Sequence, residues 1–153
     1  MKMIDIDKIP LSPQFNITMR CNRYIGPNAC TSCYVRDILS IYKNGSEDMP
    51  LETFQRFMKL FRESPYNIDT IVLIGGDPPQ HKHFNEILDS CPYNIRLFTN
   101  GLYNKNKRDV MLKHAKKMKP IFIHYDDFND CRTSDTIHDN IMAMVDSEAK
   151  IAF

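Results

Sequence analysis

Apolar and polar residues alternate through Phe15-Asn16-Ile17-Thr18-Met19, the two-residue repeat of a strand with one face in a core. Gly26-Pro27-Asn28 breaks that pattern. Val35, Ile38, Leu39 and Tyr42 then recur at helical spacing and predict a helix over residues 34–43, closed by the glycine of Asn44-Gly45-Ser46. Pro50 suits the first position of a second helix, whose stripe is Leu51, Phe54, Phe57, Met58 and Phe61. Thr70-Ile71-Val72-Leu73-Ile74 is apolar and rich in β-branched residues, as in a strand buried on both faces of a parallel sheet.

The same alternation continues to the end. A short helix is predicted over residues 84–90, with Phe84, Ile87 and Leu88 inward, and a strand over 95–99. A helix over 105–118 turns Val110, Met111 and Ala115 inward, and Ile121-Phe122-Ile123 is a strand. A helix over 136–147 carries Ile137, Ile141, Met144 and Val145 on one face, and Ile151 begins a fifth strand. Strands alternating with helices predict an α/β fold with a parallel sheet and right-handed crossovers. Periodicity does not choose between an open doubly wound sheet and part of a barrel. In either, functional loops lie at the carboxyl ends of the strands. Those ends here carry three cysteines, Gly75-Gly76-Asp77-Pro78, Thr99-Asn100-Gly101 and His124-Tyr125-Asp126-Asp127.

Composition narrows the classes of function. With 153 residues the chain is read as one domain over 1–153. A formal net charge of +1 gives no bulk attraction to nucleic acid or an anionic membrane. Lys116-Lys117-Met118-Lys119 reads as the solvated face of a helix. No apolar run is long enough to span a bilayer, and residues 1–10 lack a signal-peptide centre, so a cytoplasmic location is expected. There, cysteines are more often metal ligands or catalytic than disulfide-bonded, and five is an odd number for a disulfide framework. The last residues, Lys150-Ile151-Ala152-Phe153, resemble the middle of a strand. The chain is therefore read as the N-terminal portion of something longer, the alternative being a short protein ending on an edge strand.

Cys30-Thr31-Ser32-Cys33 is a C-x2-C pair able to grip one metal centre, with Cys21 eight intervening residues back. Three thiolates leave one iron of a four-iron four-sulfur cluster open, whereas a closed structural zinc site needs four ligands. Spacing alone leaves zinc open, with Cys91 or a histidine as the fourth ligand, and leaves open redox chemistry of the thioredoxin type. His81 and His83 flank Lys82 at a helix start. Cys91 and Cys131 have no partner at ligand spacing.

The order of these motifs resembles the radical S-adenosylmethionine enzymes over about residues 14 to 127. Thr18-Met19-Arg20-Cys21-Asn22 and Cys30-Thr31-Ser32-Cys33-Tyr34 resemble that family's cluster loop. Gly75-Gly76-Asp77-Pro78 resembles its Gly-Gly-Glu-Pro, Thr99-Asn100-Gly101 its third-strand ending, and His124-Tyr125-Asp126-Asp127, more loosely, its fourth. The C-x8-C-x2-C spacing is longer than the family's usual C-x3-C-x2-C, and Asp77 stands for Glu. The resemblance implies a partial (β/α) TIM-like barrel of about five βα units, stopping before a sixth. It implies a 4Fe-4S cluster on Cys21, Cys30 and Cys33. It implies S-adenosyl-L-methionine bound by Gly75, Gly76, Asp77 and Pro78 at its methionyl end, with Tyr34 beside the adenine, Asn100 near the cofactor and Asp126 toward the ribose or substrate. The implied chemistry is reductive cleavage to a 5′-deoxyadenosyl radical that abstracts hydrogen, with an external electron donor of the flavodoxin or ferredoxin type. No catalytic acid or base is demanded, and the substrate is not legible. The alternatives are a non-catalytic zinc module or an inactive fragment of such an enzyme.

Overall fold

The computed structural model describes residues 10–23, 33, 48–123, 131–147 and 149–152. The helix predicted over 34–43 lies outside them, as do Cys30, Tyr34, His124 and Asp126. Five strands, β1 (Gln14–Thr18), β2 (Thr70–Gly75), β3 (Asn94–Thr99), β4 (Met118–Ile123) and β5 (Ile151–Ala152), form one sheet in the order β1-β2-β3-β4-β5. All neighbouring pairs are parallel. Helices α1 (Leu51–Glu63), α2 (Phe84–Ser90), α3 (Lys105–Lys113) and α4 (Cys131–Val145) lie between successive strands. A doubly wound sheet reverses its strand order at a switch point. This one never does, and that decides for the partial (β/α) barrel.

Sequential order with right-handed crossovers places the helices on one face of the sheet. The residues of that face are Phe15, Ile17, Ile71, Leu73, Ile95, Leu97, Ile121 and Ile123, all buried. They form one core with Phe54 and Met58 of α1, Phe84, Ile87 and Leu88 of α2, Met111 of α3, and Ile137 and Met144 of α4. Each such side chain contributes roughly 1.5–3 kcal/mol by leaving water. The helical stripes are narrower than predicted. Phe57 is 39% exposed and packs edge-on against Phe15, and Val145 is 54% exposed.

The helix predicted over 105–118 ends at Lys113, and a 3-10 turn over Ala115–Lys117 leads directly into β4. Met118 is a strand residue paired with Ile95. Its sequence position continues the helical spacing of Met111 and Ala115, which is why it reads as helix. A ladder irregularity between Ile95 and Leu97 lets both Met118 and Ile121 reach the core. α4 begins at Cys131, ahead of the predicted 136; the stretch Arg132-Thr133-Ser134-Asp135 carries no apolar repeat that would mark it as helix. Among the described residues no helix is long and apolar enough to cross a membrane.

Candidate functional site

The carboxyl ends of β1, β2 and β3 are tied into one rim by short polar contacts. At the end of β1, the Thr18 hydroxyl donates to Asp48 Oδ1 at 2.7 Å and accepts from the Arg20 backbone N–H at 3.0 Å. Arg20 Nε donates to Asp48 Oδ2 at 3.0 Å. Burial opposes the charge on Asp48, but the Thr18 hydroxyl, His81 and Arg20 together hold its carboxyl below its ordinary range. An anchored carboxylate thus fixes the backbone immediately before Cys21.

Gly75 and Gly76 are required by a close approach. Gly75 has φ +144°, and a Cβ there would lie 2.1 Å from the Thr18 carbonyl oxygen. A Cβ on Gly76 would lie 2.4 Å from the Arg20 carbonyl oxygen and 2.7 Å from that of Met19. The backbone N–H groups of Gly76 and Asp77 donate to the Thr18 and Arg20 carbonyls, both at 2.8 Å. The glycine loop therefore lies directly on the backbone that leads to Cys21. Gly76→Ala is expected to cost about 1–3 kcal/mol through overpacking against backbone that cannot yield. A thermal melt checks this, and an unchanged melt would contradict the contact.

Asp77 is fully buried. Its Oδ1 accepts from the Thr99 hydroxyl at 2.6 Å and the Asn100 N–H at 3.2 Å, and its Oδ2 from Gln80 Nε2 at 3.1 Å. Burial pushes its pKa up, against the lowering influence of those donors and of Lys107. Its side chain thus joins β2 to β3. Pro78 is buried and opens a 3-10 turn over Pro78–Gln80.

Asn100 carries the linkage back to β1. Its Nδ2 donates to Asn22 Oδ1 at 2.8 Å and to Cys21 Sγ at 3.5 Å, while its Oδ1 accepts from the Leu102 N–H at 2.8 Å. Asn22 Nδ2 in turn donates to the Leu102 carbonyl. The Arg23 N–H also reaches Cys21 Sγ, at 3.4 Å. Gly101 has φ +76° and abuts Ile123 and Ile137, a conformation and a space that favour glycine. Behind it, the buried Asn140 of α4 donates to the carbonyls of Gly101 and Tyr103, at 2.8 and 2.9 Å.

The structure thus brings Cys21, Gly75, Gly76, Asp77, Pro78 and Asn100 together. Cys21 and Cys33 are both half-buried. Among the described residues no three Cys, His, Asp or Glu side chains converge on a metal-sized site. Cys30, one of the three expected ligands, lies outside those residues, as do Tyr34 and Asp126. A sulfur that accepts two N–H donors is the environment expected of a metal-bound thiolate, so Cys21 fits the role of cluster ligand.

Of the other zinc ligands considered, Cys91 and His81 do not fit. Cys91 follows α2 and precedes β3, at the amino ends of the strands. A six-residue strand, about 20 Å long, separates that end from the rim. Cys91 is also buried, and burial pushes its thiol pKa up. His81 is buried with both ring nitrogens engaged, Nδ1 accepting from the His83 N–H and Nε2 facing the Met49 carbonyl, each at 2.9 Å. Sequence reasoning missed Thr18, Asp48 and Asn140. Only Asn140 leaves a trace, as a polar residue within the apolar stripe of Ile137, Ile141 and Met144.

The fold and rim define a class: a parallel partial barrel whose strand ends are cross-braced around a cysteine. No family model matches the sequence, and no curated protein matches it significantly. Among solved structures the chain is similar to SuiB of Streptococcus suis, determined bound to S-adenosylmethionine, with a TM-score of 0.68. The match covers 93% of this chain at 14% identity, so the likeness is one of fold. The chain spans about a third of that protein, which is matched over 33% of its length.

Proposed function

We propose that this chain binds a 4Fe-4S cluster through Cys21, Cys30 and Cys33 and carries out radical S-adenosylmethionine chemistry. The observation that carries the proposal is the Asn100–Cys21 contact. It joins the third-strand motif to the first cysteine, with the glycine loop packed between their strands. Motifs that follow different strands in the order of the radical enzymes thereby meet in one place. The fold shared with an S-adenosylmethionine-bound protein supports the same reading.

The cluster, when bound, supplies the electron that cleaves S-adenosylmethionine to methionine and a 5′-deoxyadenosyl radical. The chain's own residues position the parts. Arg23 N–H and Asn100 Nδ2 stabilise negative charge on Cys21 Sγ. Asp48 and Thr18 fix the backbone entering the cysteine loop. The N–H groups of Gly76 and Asp77 are engaged with β1, so that loop offers a ligand's ammonium group carbonyl oxygen rather than N–H. Asp77 acts from behind the rim by holding Asn100. Tyr34 beside the adenine and Asp126 toward the ribose complete the proposal, with electrons from an external flavodoxin- or ferredoxin-type donor. The hydrogen abstracted belongs to a substrate outside the chain.

Anaerobic reconstitution with iron and sulfide tests this. The expected product is brown protein with about four irons per chain. On reduction it should form 5′-deoxyadenosine from S-adenosylmethionine. Colourless protein holding tightly bound zinc would overturn it.

A further inference from the structure

The face of the sheet opposite the helices is unlike an ordinary core. Gln14, Val72 and Arg96 share one register row across β1, β2 and β3. One step nearer the rim, Asn16 pairs with Ile74, and Phe98 pairs with Phe122. The helix-facing neighbours Ile95 and Leu97 are fully buried, so Arg96 and Phe98 point to the other side.

Three features of that face lack an internal explanation. Arg96 Nε is buried and has no hydrogen-bond partner among the described residues. Among the described residues no acidic residue shares its row: Asp69 is bonded to Thr70 and Asn94 instead. A buried donor left without an acceptor is rare in native proteins. Phe98 and Phe122 stack at 4.6 Å with an interplanar angle of 11°, yet Phe98 is 40% exposed. The Asn16 side-chain oxygen is also buried, with no partner among the described residues.

We propose that this face is the subsite for an organic anion, a carboxylate or phosphate held by Arg96, whose apolar or planar body lies along Phe98 and Phe122. A guanidinium presents paired N–H donors that match either anion. The stacked rings offer an apolar wall beside it, and Asn16 a polar contact further across. Resting on the proposed function, this anion is the substrate's. Arg96 lies three residues before the end of β3, about 10 Å below the rim at strand rise. A substrate anchored there extends its other end toward the rim, where the radical would be generated.

Calorimetric titration of the full chain, as purified and after iron loading, tests the site with benzoate, phenyl phosphate and neutral benzyl alcohol. The anions should bind saturably and the alcohol should not, and the stronger of the two anions identifies the headgroup. Arg96→Gln should weaken anion binding at least about tenfold, a change of about 1.4 kcal/mol, and Arg96→Lys should restore part of it. Unchanged binding by a folded Arg96→Gln chain would overturn the site. If that variant does not fold, protection of wild-type Arg96 from phenylglyoxal by phenyl phosphate, read by mass spectrometry, decides: protection supports the site and its absence overturns it. Displacement of the anion by S-adenosylmethionine would assign Arg96 to the cofactor and overturn the substrate reading. Iron content and 5′-deoxyadenosine formation are separate readouts. A chain that binds anions but no iron fails the proposed function, whereas one that loads iron but ignores the anions fails only this site.

Discussion

Cys21→Ala is expected to leave a folded chain that no longer acquires iron and forms no 5′-deoxyadenosine above background. The thiol is half-buried at a strand end, outside the hydrophobic core, so its removal should leave the fold intact. What it removes is the sulfur that Arg23 N–H and Asn100 Nδ2 address. Cys91→Ala is the control. That cysteine lies at the opposite end of the strands and should leave iron content unchanged. Asn100→Ala should give an intermediate result. It keeps all three cysteines but removes one donor to sulfur and the brace to Asn22. Supporting contacts of this kind are typically worth about 10–100-fold in metal affinity or activity. Losing an N–H donor to the thiolate should also move the reduction potential to more negative values. Iron analysis of the three variants and a potentiometric titration of wild type and Asn100→Ala check these outcomes. Full iron loading of Cys21→Ala would remove Cys21 from the ligand set.

Much of this architecture can be read from residue order because buried parallel strands concentrate β-branched apolar residues, as Ile71, Val72 and Ile74 do in β2. Strand order is different. It depends on which side each crossover takes, and no local pattern encodes that, so barrel and open sheet stay equivalent until the strands are seen in sequence. Met118 shows a second limit. It satisfies the helical spacing of Met111 and Ala115 while belonging to β4, and only its pairing with Ile95 decides between them. The Gly75-Gly76 motif is legible as a close backbone approach. What it approaches in the structure is the backbone at Thr18 to Arg20, which the residue pattern does not identify. The braces of the rim are less legible still. Thr18 and Asp48 are 30 positions apart, and Thr99 and Asp77 are 22 apart, so neither pair leaves a local signature.

Asp77 gives the other large effect, and its sign distinguishes a structural latch from a simple charge. Asp77→Ala leaves the Thr99 hydroxyl, the Asn100 N–H and the Gln80 amide without their acceptor. Buried donors stranded in this way cost about 1–3 kcal/mol each when unmade, so a total near 3 kcal/mol is a moderate expectation. At about 2–4 °C per kcal/mol for a chain of this size, the melting temperature should fall by roughly 6–12 °C. Asp77→Asn should behave differently. Its carbonyl oxygen can still accept from Thr99 and Asn100, and Gln80 can rotate its amide to meet the new NH2 group. The substitution also removes a carboxylate that burial disfavours, so the loss should be small or absent at neutral pH. The pH dependence follows from the same cause. The unfolded carboxyl titrates near 3.8 and the folded one higher, because burial raises it more than its donors and Lys107 lower it. Between those values the folded chain holds a proton that the unfolded chain has released. Stability therefore declines as pH rises from about 3.8 through the raised folded value, and stays at the lower level above it. Asp77→Asn should lack that decline. Melts of wild type and both variants across the acid-to-neutral range read it directly, and a wild-type curve parallel to Asp77→Asn would show that the buried carboxyl is not raised. The latch also bears on the site. Releasing Thr99 and Asn100 frees the amide that faces Cys21, so Asp77→Ala should lose iron affinity along with stability, while Asp77→Asn keeps both.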